Sequence, residues 1–130
     1  MSKKVYTDRH ATAGILQPLP KIETWKSYFA NYEITIEVPE FTSVCPRTGL
    51  PDFGYIMVRY LPNKLCVELK SFKYYILGYR NLGIFYENAV NRILKDLVKV
   101  CKPKWMKVRG EFNARGGMKT TVEASYPVRR

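Results

Sequence analysis

The chain has 130 residues, a formal charge of +11 and 46% apolar residues. This length and apolar content predict one domain with a single core, and no apolar run is long enough to predict a membrane-spanning helix. No signal-peptide core follows the start, so we expect a cytoplasmic protein. The positive charge has two interpretations, a surface that binds nucleic acid and a field that favours a phosphate-bearing cofactor.

The N-terminal part of the chain shows no clear periodicity. Residues 1–22 mix polar residues with glycine and proline, and we predict a flexible arm there, followed by one domain over residues 23–130. A short helix or an irregular lead-in is expected over residues 21–32. From Tyr32 to Val38 apolar and polar residues alternate, which predicts a strand that ends at Pro39.

The segment from Phe41 to Phe53 reads F-T-S-V-C-P-R-T-G-L-P-D-F and contains two reactive side chains, Cys45 and Asp52. Its two prolines and its glycine exclude a continuous helix and predict a loop. A thiolate can attack an electrophilic carbon while a nearby acid protonates the atom that gains electrons. Arg47 would favour the thiolate form. The alternative is a buried structural cysteine in a proline-rich connection.

The middle of the chain predicts a β-hairpin and two helices. The hairpin strands are expected over Gly54–Leu61 and Lys64–Glu68, with a Pro-Asn turn between them. Ser71 is a plausible N-cap for a helix over Phe72–Arg80. A second helix, with its apolar residues at the three-and-four spacing of an amphipathic face, is predicted over Ile84–Val100.

Two further strands close the chain. Alternating residues over Trp105–Asn113 and Lys119–Tyr126 predict a second hairpin, with the turn at Arg115-Gly116-Gly117. The whole order of elements predicts an α+β domain, in which an antiparallel sheet carries the two helices on one face.

Four charged residues are candidate ligand contacts outside the cysteine loop. Lys70 and Lys73 lie near a predicted helix start, where free backbone N–H groups favour a phosphate, but a solvated lysine face gives the same pattern. Glu87 either complements the dipole of the second helix or accepts the N–H donors of a guanine-like edge. Arg115 is either a turn residue or a phosphate clamp. The dinucleotide fingerprint G-x-G-x-x-G is absent, so a nicotinamide cofactor would bind outside a Rossmann domain.

Four motifs that follow one another along the chain resemble those of a known protein family. They are P-E-F-T-S-V-C-P-R-T-G-L-P-D-F (39–53), E-L-K-S-F-K-Y-Y (68–75), R-N followed by F-Y-E (80–87), and A-R-G-G (114–117). Together they resemble the QueF family, in its short, single-module form. Members are NADPH-dependent 7-cyano-7-deazaguanine reductases of queuosine biosynthesis, a tRNA modification pathway.

The resemblance implies a tunnelling fold, whose subunits assemble side by side into a ring-shaped homo-oligomer. Their sheets would then form a barrel, with active sites at the subunit interfaces. A deazapurine nitrile is the implied substrate, and NADPH is the implied cofactor, with two NADPH used per turnover. We expect no metal, no membrane and no direct nucleic-acid partner.

The resemblance also implies a role for each matched residue. Cys45 falls on the nucleophile that forms a thioimide with the nitrile, and Asp52 falls on the proton donor. Glu68 and Glu87 fall on positions that hold the base. Tyr86, which stands beside Glu87 where the family commonly has histidine, is expected to contact the substrate with them. Four further residues fall in or near the NADPH site: Lys70, Ser71, Lys73 and Arg115.

Two other classes of protein remain as alternatives. A small RNA-binding module would explain the charge and the aromatic residues, and it would bind with a steep salt dependence and no need for Cys45. Another purine or pterin enzyme of the tunnelling fold is the second alternative, but such relatives rely on metal-binding histidines. The chain has a single histidine, His10, and three widely spaced cysteines, so neither a metal site nor a disulfide scaffold is expected.

Overall fold

The computed structural model describes residues 7–128, apart from the side chain of Arg115. Most of the chain belongs to two sheets and two long helices that share one core. In chain order the elements are α1 (Asp8–Ala11), β1 (Thr24–Lys26), β2 (Ile34–Val44), β3 (Pro51–Leu61), β4 (Leu65–Val67), α2 (Leu69–Leu77), a 3-10 helix (Gly78–Asn81), α3 (Tyr86–Cys101), β5 (Trp105–Arg115) and β6 (Met118–Tyr126).

The larger sheet is antiparallel and has the strand order β2-β3-β5-β6. In β3 every second residue is buried, because successive side chains of a strand point to opposite faces. Ile56, Val58 and Tyr60 are fully buried in a core that they share with apolar residues of α2 and α3. The opposite face carries exposed charges such as the Arg59–Glu33 ion pair. The predicted antiparallel sheet with helices on one face is therefore confirmed.

Helix α3 matches the predicted second helix closely. Its apolar stripe, which includes Val90, Ile93 and Leu97, is fully buried against the sheet. Gly110 of β5 allows this close approach, because a Cβ there would lie 2.6 Å from Val90 Cγ2. The helix ends where Lys102 adopts the left-handed conformation (φ 45°), and the proline that follows cannot continue it.

The predicted hairpin of residues 54–61 and 64–68 is wrong. Strand β4 pairs with β1, in a separate two-stranded antiparallel sheet. The reason is that β3 already uses both of its edges, one for β2 and the other for β5. A side-chain bond still joins the two segments, since the backbone N–H of Val67 donates to Tyr60 Oη at 3.0 Å.

Two predicted boundaries in the first half of the sheet also differ from the structure. Strand β2 does not end at Pro39 but continues past it through a β-bulge between Val38 and Phe41. Because β2 is an edge strand, the proline, which has no backbone N–H, removes no hydrogen bond from the sheet. The predicted loop from Phe41 to Phe53 is correspondingly shorter. Only residues 45–50 connect β2 to β3.

The region before β2 holds more regular structure than its sequence predicts. Helix α1 falls within the predicted arm, and β1 falls where a helix or an irregular lead-in was expected. Asn88 Nδ2 donates to the carbonyl of Ala11 at 2.7 Å, and Arg92 Nη1 donates to the carbonyl of Gly14 at 2.5 Å. These bonds join residues 11–14 to α3. The flexibility of the arm stays a prediction, and residues 1–6 lie outside the described part of the chain.

Helix α2 begins earlier than predicted. Glu68 rather than Ser71 is its N-cap, and the predicted helix over residues 72–80 divides into α2 and the 3-10 helix. The cap moves because the Glu68 carboxylate accepts the first free backbone N–H groups of the helix. Within residues 7–128, no helix is both long and apolar enough to cross a membrane.

Candidate active site

The loop that carries Cys45 closes the β2–β3 hairpin with two backbone hydrogen bonds. The N–H of Cys45 donates to the carbonyl of Leu50, and the N–H of Gly49 donates to the carbonyl of Cys45, both at 2.9 Å. Gly49 adopts a φ of 72°, a left-handed conformation that glycine reaches without steric cost. The loop therefore holds the half-buried Cys45 at a fixed place at the end of the sheet.

Hydrogen bonds around Cys45 lower the pKa of its thiol below the ordinary value of 9.0. Burial raises this pKa, but the Thr48 hydroxyl and the backbone N–H groups of Thr48 and Arg47 together lower it by more, because they stabilise the thiolate. When Asp52 is ionised, its negative charge acts in the opposite direction. Arg47 thus favours the thiolate through its backbone, whereas the sequence suggested its side chain, and Thr48 was not predicted at all.

Replacing Thr48 by valine should make Cys45 less reactive. Loss of the hydroxyl donor raises the pKa of Cys45, so at any pH below that pKa the thiolate fraction and the alkylation rate fall, by about tenfold for one such bond. The measurement is the rate of iodoacetamide alkylation against pH, which reports Cys45 because Cys66 and Cys101 are buried. Thr121→Val on the exposed part of β6 is the control. An unchanged midpoint for Thr48→Val would show that the hydroxyl does not stabilise the thiolate.

Asp52 lies at the start of β3 and is 5% exposed. The Tyr86 hydroxyl donates to Asp52 Oδ1 at 2.9 Å, across 34 residues of sequence. The Tyr86 ring stacks on Phe112 of β5, with ring centroids 4.1 Å apart and 13° between the planes. This stacking holds the hydroxyl in place, so the structure brings Cys45, Asp52 and Tyr86 together from a loop, a strand and a helix.

The segment before α3 is joined to the cysteine loop through backbone hydrogen bonds. The N–H of Val44 donates to the carbonyl of Leu82 at 2.9 Å, and the N–H of Ile84 donates to the carbonyl of Val44 at 3.0 Å. Glu87, exposed in the first turn of α3, therefore lies at the same end of the sheet as Cys45. The backbone of Arg115 lies at this end too. In β5, Phe112 pairs with Gly54 of β3, and β5 continues from there toward the end of the sheet where β3 begins. The side chain of Arg115 lies outside the described part of the structure.

A second group of predicted site residues forms the start of α2. Both carboxylate oxygens of Glu68 accept backbone N–H groups, from Lys70 and from Ser71, each at 2.8 Å. These two bonds lower the pKa of Glu68. The Ser71 hydroxyl donates to the Glu68 carbonyl and accepts the N–H of Glu23. Two of the backbone N–H groups that were expected to be free for a phosphate are therefore occupied by Glu68, and phosphate binding at this helix start stays a prediction. Only the exposed side chains of Lys70 and Lys73 remain as cations for an anion.

The two groups of predicted site residues lie far apart within one protomer. Asp52 begins β3, whereas the segment leading into Glu68 is bonded to Tyr60 near the end of β3. Eight residues of strand separate Asp52 from Tyr60, a distance of roughly 26 Å. The start of α2 and the Cys45 loop therefore belong to opposite ends of the sheet.

Comparison with known proteins places this site in context. The family model described as QueF-like protein matches residues 51–130. The chain is 55% identical over 122 residues to the NADPH-dependent 7-cyano-7-deazaguanine reductase of Elusimicrobium minutum, covering 93% of this chain and 92% of the relative. It is 64% identical over 107 residues to the protein of the same name from Chloroherpeton thalassium, covering 81% and 92%.

A solved structure supports the fold. The crystal structure of the archaeosine synthase QueF-Like in the apo form matches with a TM-score of 0.69, over 75% of this chain and 95% of that one. The two are 22% identical in sequence, so this similarity concerns the fold alone. The α+β tunnelling fold that the motifs implied is confirmed.

Proposed function

We propose, since this chain belongs to the QueF family, that it is a cytoplasmic nitrile reductase of queuosine biosynthesis. It converts 7-cyano-7-deazaguanine to 7-aminomethyl-7-deazaguanine with two NADPH. The observation that carries this proposal is the Cys45 thiol, whose pKa is lowered and which lies in a loop beside the buried Asp52. Relatives that are 55% and 64% identical bear the name of this activity.

The chemistry assigned to Cys45 and Asp52 makes a nitrile reducible. The Cys45 thiolate attacks the nitrile carbon, and the nitrile nitrogen takes the proton of Asp52, which gives a thioimide. When bound, NADPH would supply the hydride for each of the two reductions, one before and one after Cys45 leaves. Collapse of the first reduced adduct breaks the carbon–sulfur bond and returns Cys45 as a thiolate. The nitrogen takes a second proton when the second hydride reaches the imine carbon, and solvent protons restore Asp52, so the balance is two hydrides and two protons added to each nitrile.

Tyr86 has a specific place in this proposal. The substrate contact expected of Tyr86 stays a prediction, and its hydroxyl donates to the proposed proton donor. A hydrogen bond to one oxygen of Asp52 fixes the plane of the carboxyl group, which aligns the acid for proton transfer. Tyr86 thus acts on the substrate through Asp52, while the neighbouring Glu87 is the candidate for binding the N–H donors of the base.

The separation of Glu68 from Cys45 supports an active site shared between subunits. A base bound beside Cys45 and Glu87 is out of reach of the Glu68 of the same protomer, so Glu68 would come from a neighbouring copy. Strands β2 and β6 form the edges of the larger sheet, and edge strands pair readily with another chain. Pairing of such edges around a closed ring would form the barrel that the resemblance implies.

A shared site predicts that two inactive variants restore each other. Cys45→Ala and Glu68→Gln should each be inactive alone, but co-assembled in equal amounts they should recover about a quarter of the wild-type activity, because a quarter of the sites then receive both intact residues. Cys45→Ala co-assembled with Asp52→Asn is the control. These two residues act from the same protomer, so no site receives both, and this mixture should stay inactive.

The outcome of this experiment distinguishes the possible arrangements. Recovery in the first mixture alone supports a site shared between subunits. Recovery in neither mixture would contradict the assignment of Glu68 to a neighbouring subunit. Because Glu68 is also the N-cap of α2, circular dichroism and melting temperature of Glu68→Gln check that the fold is retained.

The exposed lysines at the start of α2 are proposed to bind the phosphates of NADPH, together with Arg115. Lys73 lines a groove of about 410 Å³ between α2 and the β2 edge. The residues fit a phosphate through their side chains, since the helix N–H groups nearest to them are occupied by Glu68. A lysine ammonium binds a phosphate as a point charge, and such a contact is weakened by salt.

Lys73→Ala should raise the KM for NADPH by about tenfold or more, the value of one hydrogen bond to a charged group. Thioimide formation at Cys45 should stay intact, because the nitrile substrate carries no phosphate. The control is Lys95→Ala, which removes an equal charge from the exposed face of α3. If Lys73→Ala also loses thioimide formation, or wild type uses NADH as well as NADPH, the lysines have been assigned to the wrong ligand.

A further inference from the structure

The Ser43 hydroxyl is a polar group that the proposed reaction has not used. Ser43 is fully buried, and within the part of the chain that the structure describes its Oγ is the buried side-chain oxygen that lacks a hydrogen-bond partner. A buried hydroxyl without a partner costs roughly 1–3 kcal/mol, so alanine would be the more stable choice at a position that only fills space. This free-energy cost is offset if the Ser43 hydroxyl gains a hydrogen-bond partner at another stage of the reaction.

Asp52 is the side chain closest to Ser43 across the sheet. The two residues are directly paired between β2 and β3, so their side chains project from the same face. Paired Cβ atoms lie about 4.5–5.5 Å apart, and the serine and carboxyl oxygens are one and two bonds beyond them. Rotation about the side-chain bond of Ser43 therefore brings its hydroxyl within hydrogen-bond distance of the Asp52 carboxyl.

We propose that Ser43 is a positioning residue whose hydroxyl donates to the Asp52 carboxylate after Asp52 has given its proton to the nitrile nitrogen. This inference rests on the proposed role of Asp52. The Ser43 proton stays on its oxygen, and only a hydrogen bond forms. Asp52 becomes an anion at a place that is 5% exposed, and a buried anion needs donors. Tyr86 supplies one donor from α3, while Cys45 repels the charge when it is a thiolate.

The test is a double-mutant cycle on the rate of thioimide formation, measured by intact mass in the absence of NADPH. Ser43→Ala should slow this step by about tenfold or more, as expected for a bond to a charged group. In an Asp52→Asn background the same change should have almost no further effect, because no carboxylate forms there. The melting temperature of Ser43→Ala should be unchanged or higher, since the hydroxyl lacks a partner in the resting enzyme.

Thr42→Ala is the matched control, because Thr42 precedes Ser43 and points to the opposite face of β2. Its rate should equal that of wild type. A Ser43→Ala enzyme that forms the adduct at the wild-type rate overturns the inference. So does an equal loss in both backgrounds with a lower melting temperature, which would show a structural role. If Asp52→Asn itself forms the adduct at the normal rate, the proposed role of Asp52 fails first, and the two failures are thus distinguishable.

Discussion

Cys45→Ala is expected to abolish the covalent adduct with 7-cyano-7-deazaguanine. In wild type without NADPH, intact mass spectrometry should show the added mass of one nitrile substrate per chain. The variant should show none, and its turnover should fall on the order of a thousandfold or more, the scale of loss when an enzyme loses its nucleophile. The physical reason is that a nitrile carbon accepts hydride poorly until a thiolate has added to it.

The other cysteines provide the control for this experiment. Cys101 is buried at the end of α3, and burial raises the pKa of its thiol to about 11, so it is almost entirely protonated at neutral pH. Cys101→Ala should therefore keep both the adduct and the turnover. An adduct in Cys45→Ala would mean that another residue is the nucleophile, and it would remove the central part of the proposed mechanism.

Asp52→Asn is expected to lower the rate of reduction by roughly a hundredfold or more, which is the usual contribution of a general acid. The amide keeps the shape of the carboxyl group, and its oxygen can still accept the Tyr86 hydroxyl, so the fold should be retained. The measurement is the single-turnover rate of thioimide formation, followed by steady-state turnover. An adduct that forms slowly but completely indicates loss of the proton donor, whereas a missing adduct indicates loss of the nucleophile.

The exposed Asp8 of α1 offers a matched control for the charge change. Asp8→Asn makes the same substitution at a position distant in sequence from the proposed chemistry and should leave both rates unchanged. Near-normal turnover by Asp52→Asn, with an unchanged melting temperature, would show that Asp52 is only a loop-flanking residue and that the nitrile nitrogen takes its proton from another group.

The position of Tyr86 shows how this chain departs from the motif that it otherwise follows. The family commonly has histidine before the second glutamate, and a tyrosine hydroxyl here donates to the proposed acid. A phenol does not change its charge near neutral pH, unlike imidazole. In this chain a phenol donor therefore lies beside Asp52, which fits the proposed role of Tyr86 in aligning the acid.

The sequence alone was sufficient for the elements whose signals are local. The apolar stripe of α3 has the period of a helix. The residues of β5 and β6 alternate with the period of a strand on either side of two glycines, so the helix and the hairpin were predicted nearly to their ends. The four motifs together were sufficient for the family, since their order and spacing are visible without any contact. These features depend on residues that are neighbours along the chain.

Tertiary structure alone decided which strands pair and which groups meet. The partner of β4 is β1, a choice that depends on both edges of β3 being occupied and that no local pattern records. The Tyr86–Asp52 bond joins residues 34 positions apart, and the distance between the Cys45 loop and Glu68 depends on the length of β3. The unpartnered hydroxyl of Ser43 appears only once β2 and β3 are in register. Periodicity reports whether a side chain is buried, whereas the partner of a buried group is set by the packing of the whole domain.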